Sequence, residues 1–194
     1  NQLLVKKAGE HHQGVVARRK PIVALSEDKL EAYDGQSNQR LLLLALDGLQ
    51  DPHNFGACLR VAAAAGVDAV ITPKNASVPI NATVHKASSG TAECVPWIQV
   101  GNMVRQLQKL KSQGIWVIGT DHKADQSLFD VDMSGPIVLL MGSEGRGLRE
   151  LRKQACDILL SIPMDSRVES LNVSVATGIC IYQAIQQRHH LHRE

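Results

Sequence analysis

From Leu41 onward the chain alternates between short continuous apolar runs and longer stretches in which apolar positions recur every three or four residues. LLLLAL (41–46), DAVIT (68–72), CVPWIQV (94–100), IWVIGT (115–120), PIVLLMG (136–142) and DILLSIP (157–163) have the length and composition of strands covered on both faces, the third broken by Pro96. Helical patterns lie between them. Asp51 and Pro52 read as an N-cap and a proline at the first helical position, opening a helix that runs to Gly66. NATVHKASS (81–89) reads as a second helix, and MVRQLQKLKSQG (103–114) as a third, with Val104, Leu107 and Leu110 on one face and Lys and Arg opposite. LRELRKQ (148–154) is a short charged helix, and a last helix covers 170–188. This alternation through short connections predicts an α/β fold, a mostly parallel sheet flanked by helices. Such sheets bind ligands at loops beyond the carboxyl ends of strands, here 47–54, 120–125, 142–147 and 163–172.

The first forty residues break the pattern: a basic cluster at Arg18, Arg19 and Lys20, then Pro21, an amphipathic stretch from Leu25 to Leu30, and a polar run to Arg40. They read as the tail of an upstream unit followed by a linker, and a start at Asn1 fits a chain cut from a longer one. The 194 residues otherwise suit one domain. Lys+Arg 21 against Asp+Glu 19 leaves a formal charge of +2, so a nucleic-acid partner must be held by a local patch. Cys58, Cys94, Cys156 and Cys180 stand apart with no CxxC, against a zinc site or a disulfide scaffold and for a reduced cytoplasm. No run approaches the ~20 apolar residues of a membrane span. Only six residues are Phe, Trp or Tyr, which disfavours an RNA-binding module built on aromatic stacking.

Three segments carry candidate chemistry. LDGLQDPHNFGACLR (46–60) packs Asp, Pro, His, Asn and Gly between a buried strand and a helix; an ordinary capped turn accounts for Asp51, Pro52 and Asn54 as readily as a functional loop does, whereas Arg60 has only small neighbours one turn away, Gly56, Ala57, Ala63 and Ala64. His53 is a rival base, though a histidine in a cap loop more often only bonds backbone. MGSEGRG (141–147) sets three glycines and the carboxylate of Glu144 at a strand tip, with neither GxxxxGK[ST] nor GxGxxG present. SIPMDSRVESLNVSVATGICIYQAI (161–185) ends in a helix with two apolar stripes, one of Leu171, Val175, Ile179 and Tyr182, the other of Val173, Ala176, Cys180 and Ala184. A helix apolar on two sides is covered on two sides, by a second copy of the subunit or by its own chain.

LDGLQDPHNFGACLR, IVLLMGSEGRGL and SIPMDSRVESLNVSVATGI resemble, in order, the three motifs of the SpoU (TrmH-type) RNA ribose 2′-O-methyltransferases of the SPOUT superfamily, over roughly 41–188. HHQGVVAR (11–18) resembles the junction in bacterial 23S rRNA guanosine-2′-O-methyltransferases, where a small RNA-binding domain precedes the catalytic one. The resemblance implies a SPOUT-type sheet with a C-terminal deep trefoil knot, a catalytic domain at 41–194, and a homodimer acting on 23S rRNA with S-adenosyl-L-methionine and no metal. It implies cofactor contacts at Gly119, Thr120, Met141, Gly142, Ile162, Met164 and Leu171, and a catalytic group of Arg60, Asn54, Glu144, Ser170 and Asn172. Similar enzymes are proposed to use the matching arginine as base; guanidinium groups stay protonated in proteins, which suits a grip on phosphate better. A tRNA ribose methyltransferase of the same family, a non-catalytic RNA-binding dimer and an unrelated doubly wound nucleotide binder are the competing readings.

Overall fold

The apolar runs become one sheet. In the computed structural model, which describes residues 20–75, 77–143 and 147–190 (the backbone alone for His190), the strands are β1 (Leu25–Ser26), β2 (Leu42–Leu46), β3 (Ala69–Pro73), β4 (Trp97–Val100), β5 (Trp116–Thr120), β6 (Gln126–Ser127), β7 (Ile137–Met141) and β8 (Ile158–Ser161). Their order is β1-β4-β3-β2-β7-β5-β8-β6, and every pair is parallel. The helices are α1 (Pro52–Ala64), α2 (Ala82–Ala87), α3 (Met103–Ser112), α4 (Glu150–Lys153) and α5 (Val173–His190).

Alternate residues of β2 explain the layers. Leu42, Leu44 and Leu46 face one core with Phe55, Cys58 and Leu59 of α1 and Cys180, Ile181 and Ala184 of α5, while Leu41, Leu43 and Ala45 face the other with Met103, Leu107 and Leu110 of α3. Continuous apolar runs therefore mean a sheet covered on both faces. Asp51 caps α1 by accepting the His53 N–H at 2.9 Å, and Asn81 caps α2 by accepting from Val84 at 3.0 Å.

Three differences from the sequence reading have local causes. The stretch read as linker joins the sheet: β1 pairs with β4, a 3-10 turn follows at Glu27–Ala32, and Leu30 is buried against the α3 side of the core. β4 starts only at Trp97, because Pro96 has no N–H to give a ladder. β6 carries two polar residues, Gln126 and Ser127, and so has no apolar signature; it forms because β8 offers it a free edge. Residues 1–19, with the basic pair Arg18 and Arg19 and the HHQGVVAR segment, lie outside the described residues.

Candidate active site

The carboxyl ends of β5, β7 and β8 lie side by side, and the chain leaves them at Thr120, Met141 and Ser161. Together with the loop that enters α5 they enclose a cavity of about 690 Å³. Thr120, Met141 and Gly142 form one part of its lining, and Ile162, Met164, Ser170 and Leu171 another. Six of the seven expected cofactor contacts thus share one cavity. Gly119 does not line it: a Cβ there would stand 2.6 Å from Cys156 Sγ and 2.9 Å from Leu148 Cδ1, so the glycine lets α4 and its approach pack against β5 behind the cavity.

Gly142 is needed for a close approach of backbone to backbone. A Cβ would fall 2.3 Å from the carbonyl carbon of Gly147, and the turn between them closes with the Gly147 N–H donating to Ser143 O at 2.9 Å. Gly147 has φ +62°, in the left-handed region. Glu144, with the rest of 144–146, lies outside the described residues.

Two carboxylates at strand tips on either side of β7 hold α4, and sequence reasoning missed them. Asp47, after β2, faces Arg152 Nε at 3.2 Å; Asp121, after β5, pairs with Lys153 Nζ. β7 runs between β2 and β5, so two consecutive α4 residues straddle the strand that carries the glycine turn. Burial would raise the Asp121 carboxyl, but the bonds from Lys153 and the Lys123 N–H, with the charges of Lys153 and His122, outweigh it and hold it below the ordinary carboxylate range. Acidic residues just past buried strands, followed by adjacent cations in LRELRKQ, were the available signal.

Asn54 and Asn172, 118 positions apart, meet: Asn172 Nδ2 donates to Asn54 Oδ1 at 2.9 Å. Arg60 stands on the exposed side of α1, does not line the cavity, and its guanidinium is in no ion pair or hydrogen bond among the described residues. His53 is exposed and serves the cap through its backbone. On α5 the stripe of Val173, Cys180 and Ala184 is buried, whereas Val175 and Tyr182 of the other stripe are 51% and 53% exposed. Among the described residues no group of three or more His, Cys, Asp or Glu is placed to hold a metal, and no helix is long and apolar enough to cross a membrane.

Comparison with known proteins agrees with this architecture. A "23S rRNA (guanosine-2'-O-)-methyltransferase RlmB" of Ralstonia nicotianae is 54% identical over 180 residues, covering 92% of this chain and 71% of that protein. The protein of that name in Escherichia coli is 49% identical over 183 residues, covering 94% and 75%. Among solved structures, the SpoU methyltransferase AviRb from Streptomyces viridochromogenes in complex with AdoMet superimposes with a TM-score of 0.77 at 26% identity, over 87% of this chain and 67% of that one. The A. aeolicus TrmH/SpoU tRNA modifying enzyme gives 0.72 at 32% identity, over 79% and 78%. The sequence pattern of the SpoU rRNA Methylase family matches residues 41–182, and the chain belongs to that family.

Proposed function

We propose that this chain transfers the methyl group of S-adenosylmethionine to the ribose 2′-hydroxyl of a guanosine in 23S rRNA, as a homodimer in the cytoplasm. The observation that carries the reading is the 2.9 Å bond between Asn54 and Asn172, which joins the first and third motifs at the loop that also lines a ligand-sized cavity. Relatives at 54% and 49% identity bear the corresponding name, which supports the choice of substrate.

The residues present fit the cofactor. A cavity of about 690 Å³ lies within the ~300–1,000 Å³ of small-molecule sites, and its walls mix apolar side chains with backbone brought close by Gly142 and Gly147. Thr120, Met141, Gly142, Ile162, Met164 and Leu171 would hold it, with Gly119 supporting β5 from behind. When bound, S-adenosylmethionine supplies a sulfonium methyl group that can be displaced in line without a metal. The chain's own contribution is orientation and charge. Arg60, uncommitted to any ion pair among the described residues, grips a phosphate of the RNA and stabilises negative charge developing on the attacking oxygen. Asn54, Asn172 and Ser170 position the ribose, and Glu144 belongs to the same group.

The catalytic unit is 41–194, a division supported by the family pattern beginning at residue 41, with β1 and the turn at Glu27–Ala32 packed onto its sheet; HHQGVVAR supports an RNA-binding unit before it. A C-terminal trefoil knot is supported by the sheet order, in which the later β8 lies between β5 and β6, which follow one another in the chain. The exposed stripe of α5 supports the dimer.

The test is transfer of labelled methyl to fragments of 23S rRNA and to tRNA transcripts, with the product mapped by mass spectrometry. We expect 2′-O-methylguanosine in the rRNA fragments alone. Label in tRNA alone moves the assignment to the tRNA branch, which the likeness to the A. aeolicus enzyme keeps in view. Cofactor binding with no transfer to either RNA overturns the enzyme reading in favour of a binding dimer.

A further inference from the structure

We infer that Asn54 meets the RNA as a hydrogen-bond donor and never as an acceptor, and that Ser174 is the positioning residue that fixes this direction through Asn172. The inference rests on the methyl-transfer reading above and adds a direction to it. A side-chain amide turned end for end has nearly the same shape, so its neighbours alone decide which atom faces which way. At Asn172 a backbone group decides. The Ser174 N–H can only donate, and it lies 2.9 Å from one end of the Asn172 amide; that end is therefore Oδ1. The Ser174 hydroxyl donates to the same oxygen at 2.6 Å. Asn172 is itself anchored, because its backbone carbonyl accepts the Ala176 N–H at 3.0 Å in the first turn of α5.

With Oδ1 committed to Ser174, the other end of Asn172 is an NH₂, and it faces Asn54 at 2.9 Å. An NH₂ requires an acceptor there, so Asn54 turns its own Oδ1 inward. With Oδ1 turned to Asn172, the group that Asn54 leaves without a protein partner among the described residues is Nδ2. That nitrogen makes no hydrogen bond among the described residues, and it is not among the atoms sealed from solvent without a partner, although Asn54 as a whole is only 8% exposed. One serine at the start of α5 thus sets, across 120 positions of sequence, the polarity of a group at the start of α1.

The consequence is chemical. An amide NH₂ matches an oxygen lone pair, on a non-bridging phosphate oxygen or on a ribose oxygen. It cannot receive the proton that leaves the 2′-hydroxyl. Asn54 therefore orients the RNA, and the proton leaves by another route.

Single-turnover methyl transfer to a 23S rRNA fragment tests this with Asn54→Asp and Asn54→Ala. Asn54→Asp keeps the inward acceptor for Asn172 and puts an ionised oxygen where the donor stood. We expect about a hundredfold loss at neutral pH, to the level of Asn54→Ala or below, with S-adenosylmethionine affinity by calorimetry within about twofold of wild type. As pH falls and the new carboxyl becomes protonated it regains a donor, so activity recovers in part. An Asn54→Asp enzyme clearly more active than Asn54→Ala, with no recovery in acid, overturns the inference. Ser174→Ala keeps the backbone N–H, and so the direction of the Asn172 amide, but loses the second bond that holds it: kcat/KM falls about three- to tenfold with cofactor affinity unchanged, and Ser174→Thr restores it; an unchanged Ser174→Ala enzyme overturns the part given to the Ser174 hydroxyl. A methylphosphonate next to the target nucleotide separates the two RNA acceptors: it weakens wild type and not Asn54→Ala if the acceptor is that phosphate, and weakens both equally if the acceptor is the ribose. Wild type that methylates no RNA defeats the functional reading, and the side-chain amide NMR signals of the free protein then still decide the orientation. An Asn172 side-chain NH₂ whose nuclear Overhauser contacts run to the Ser174 N–H in place of Asn54 refutes it.

Discussion

A methyl group at position 142 would have nowhere to go. Its carbon would stand 2.3 Å from the Gly147 carbonyl carbon, 2.5 Å from Leu148 N and 2.6 Å from Gly147 O, all backbone atoms that no rotamer change can move. Gly142→Ala therefore has to open the turn that forms one wall of the cavity. We expect cofactor affinity to fall at least about tenfold by calorimetry, with a loss of about 1–3 kcal/mol of stability in a denaturant melt, the usual cost of forcing extra atoms into a closed site. An Ala variant that binds the cofactor like wild type would mean that the turn is not part of the site. The same scale accounts for the quiet cysteines. Burial pushes the thiols of Cys156 and Cys180 up to about 12, so at neutral pH they are packing groups with no thiolate to offer.

The elements hold the cavity through charges the sequence displays only as a charged helix. α4 is four residues long and has no buried residue, so packing alone does not seat it; Arg152 and Lys153, reaching Asp47 and Asp121 on either side of β7, do. The carboxyl of Asp121 is held low in the folded protein, so its contribution to stability is present above the unfolded carboxyl pKa and is lost as pH falls through the folded value. Below about pH 4 the wild-type melting temperature should decline, and Asp121→Asn should flatten that decline while giving a lower plateau at neutral pH. Parallel curves for the two proteins would show that the pair with Lys153 contributes no linkage. These ion pairs also mark where reading the sequence stops. Strands β2, β3, β5, β7 and β8 were legible because each is an apolar run buried by the helices, and α1 because Asp51 and Pro52 announce its start. Ion pairing between residues 105 positions apart, as in Arg152 with Asp47, follows from the sheet order, and no local pattern encodes it. The same holds for β6, and for the start of α5 at Val173 in place of 170: the residues before it form the cavity loop, and Asn172 acts as the cap.

The whole molecule adds what neither residue nor element carries alone. Gln187 and Arg188 near the end of α5 bond back to the segment between β6 and β7, Gln187 Oε1 accepting the Met133 N–H at 2.7 Å and the Arg188 guanidinium donating to the carbonyls of Met133, Leu41, Arg40 and Gly135. The last helix is thus tied to the chain entering β2 and to the segment between β6 and β7. Its inner stripe is spent on the core, but Val175 and Tyr182 remain half exposed, with Val168 of the cavity-lining loop 48% exposed. Single exposed apolar residues need no explanation; a β-branched residue and a tyrosine two turns apart on the outward stripe of one helix form a surface that water does not favour. In the proposed dimer this surface is covered, so charge placed on it should separate the subunits without touching the monomer's core. Val175→Asp combined with Tyr182→Asp should sediment at half the mass of wild type, keep its thermal transition, and lose methyl transfer, because Val173 and Ala176 of the same helix line the cavity. A double variant that remains dimeric, or one that becomes monomeric with its activity intact, would detach the dimer from the site; a wild-type protein that sediments as a monomer would remove the dimer altogether.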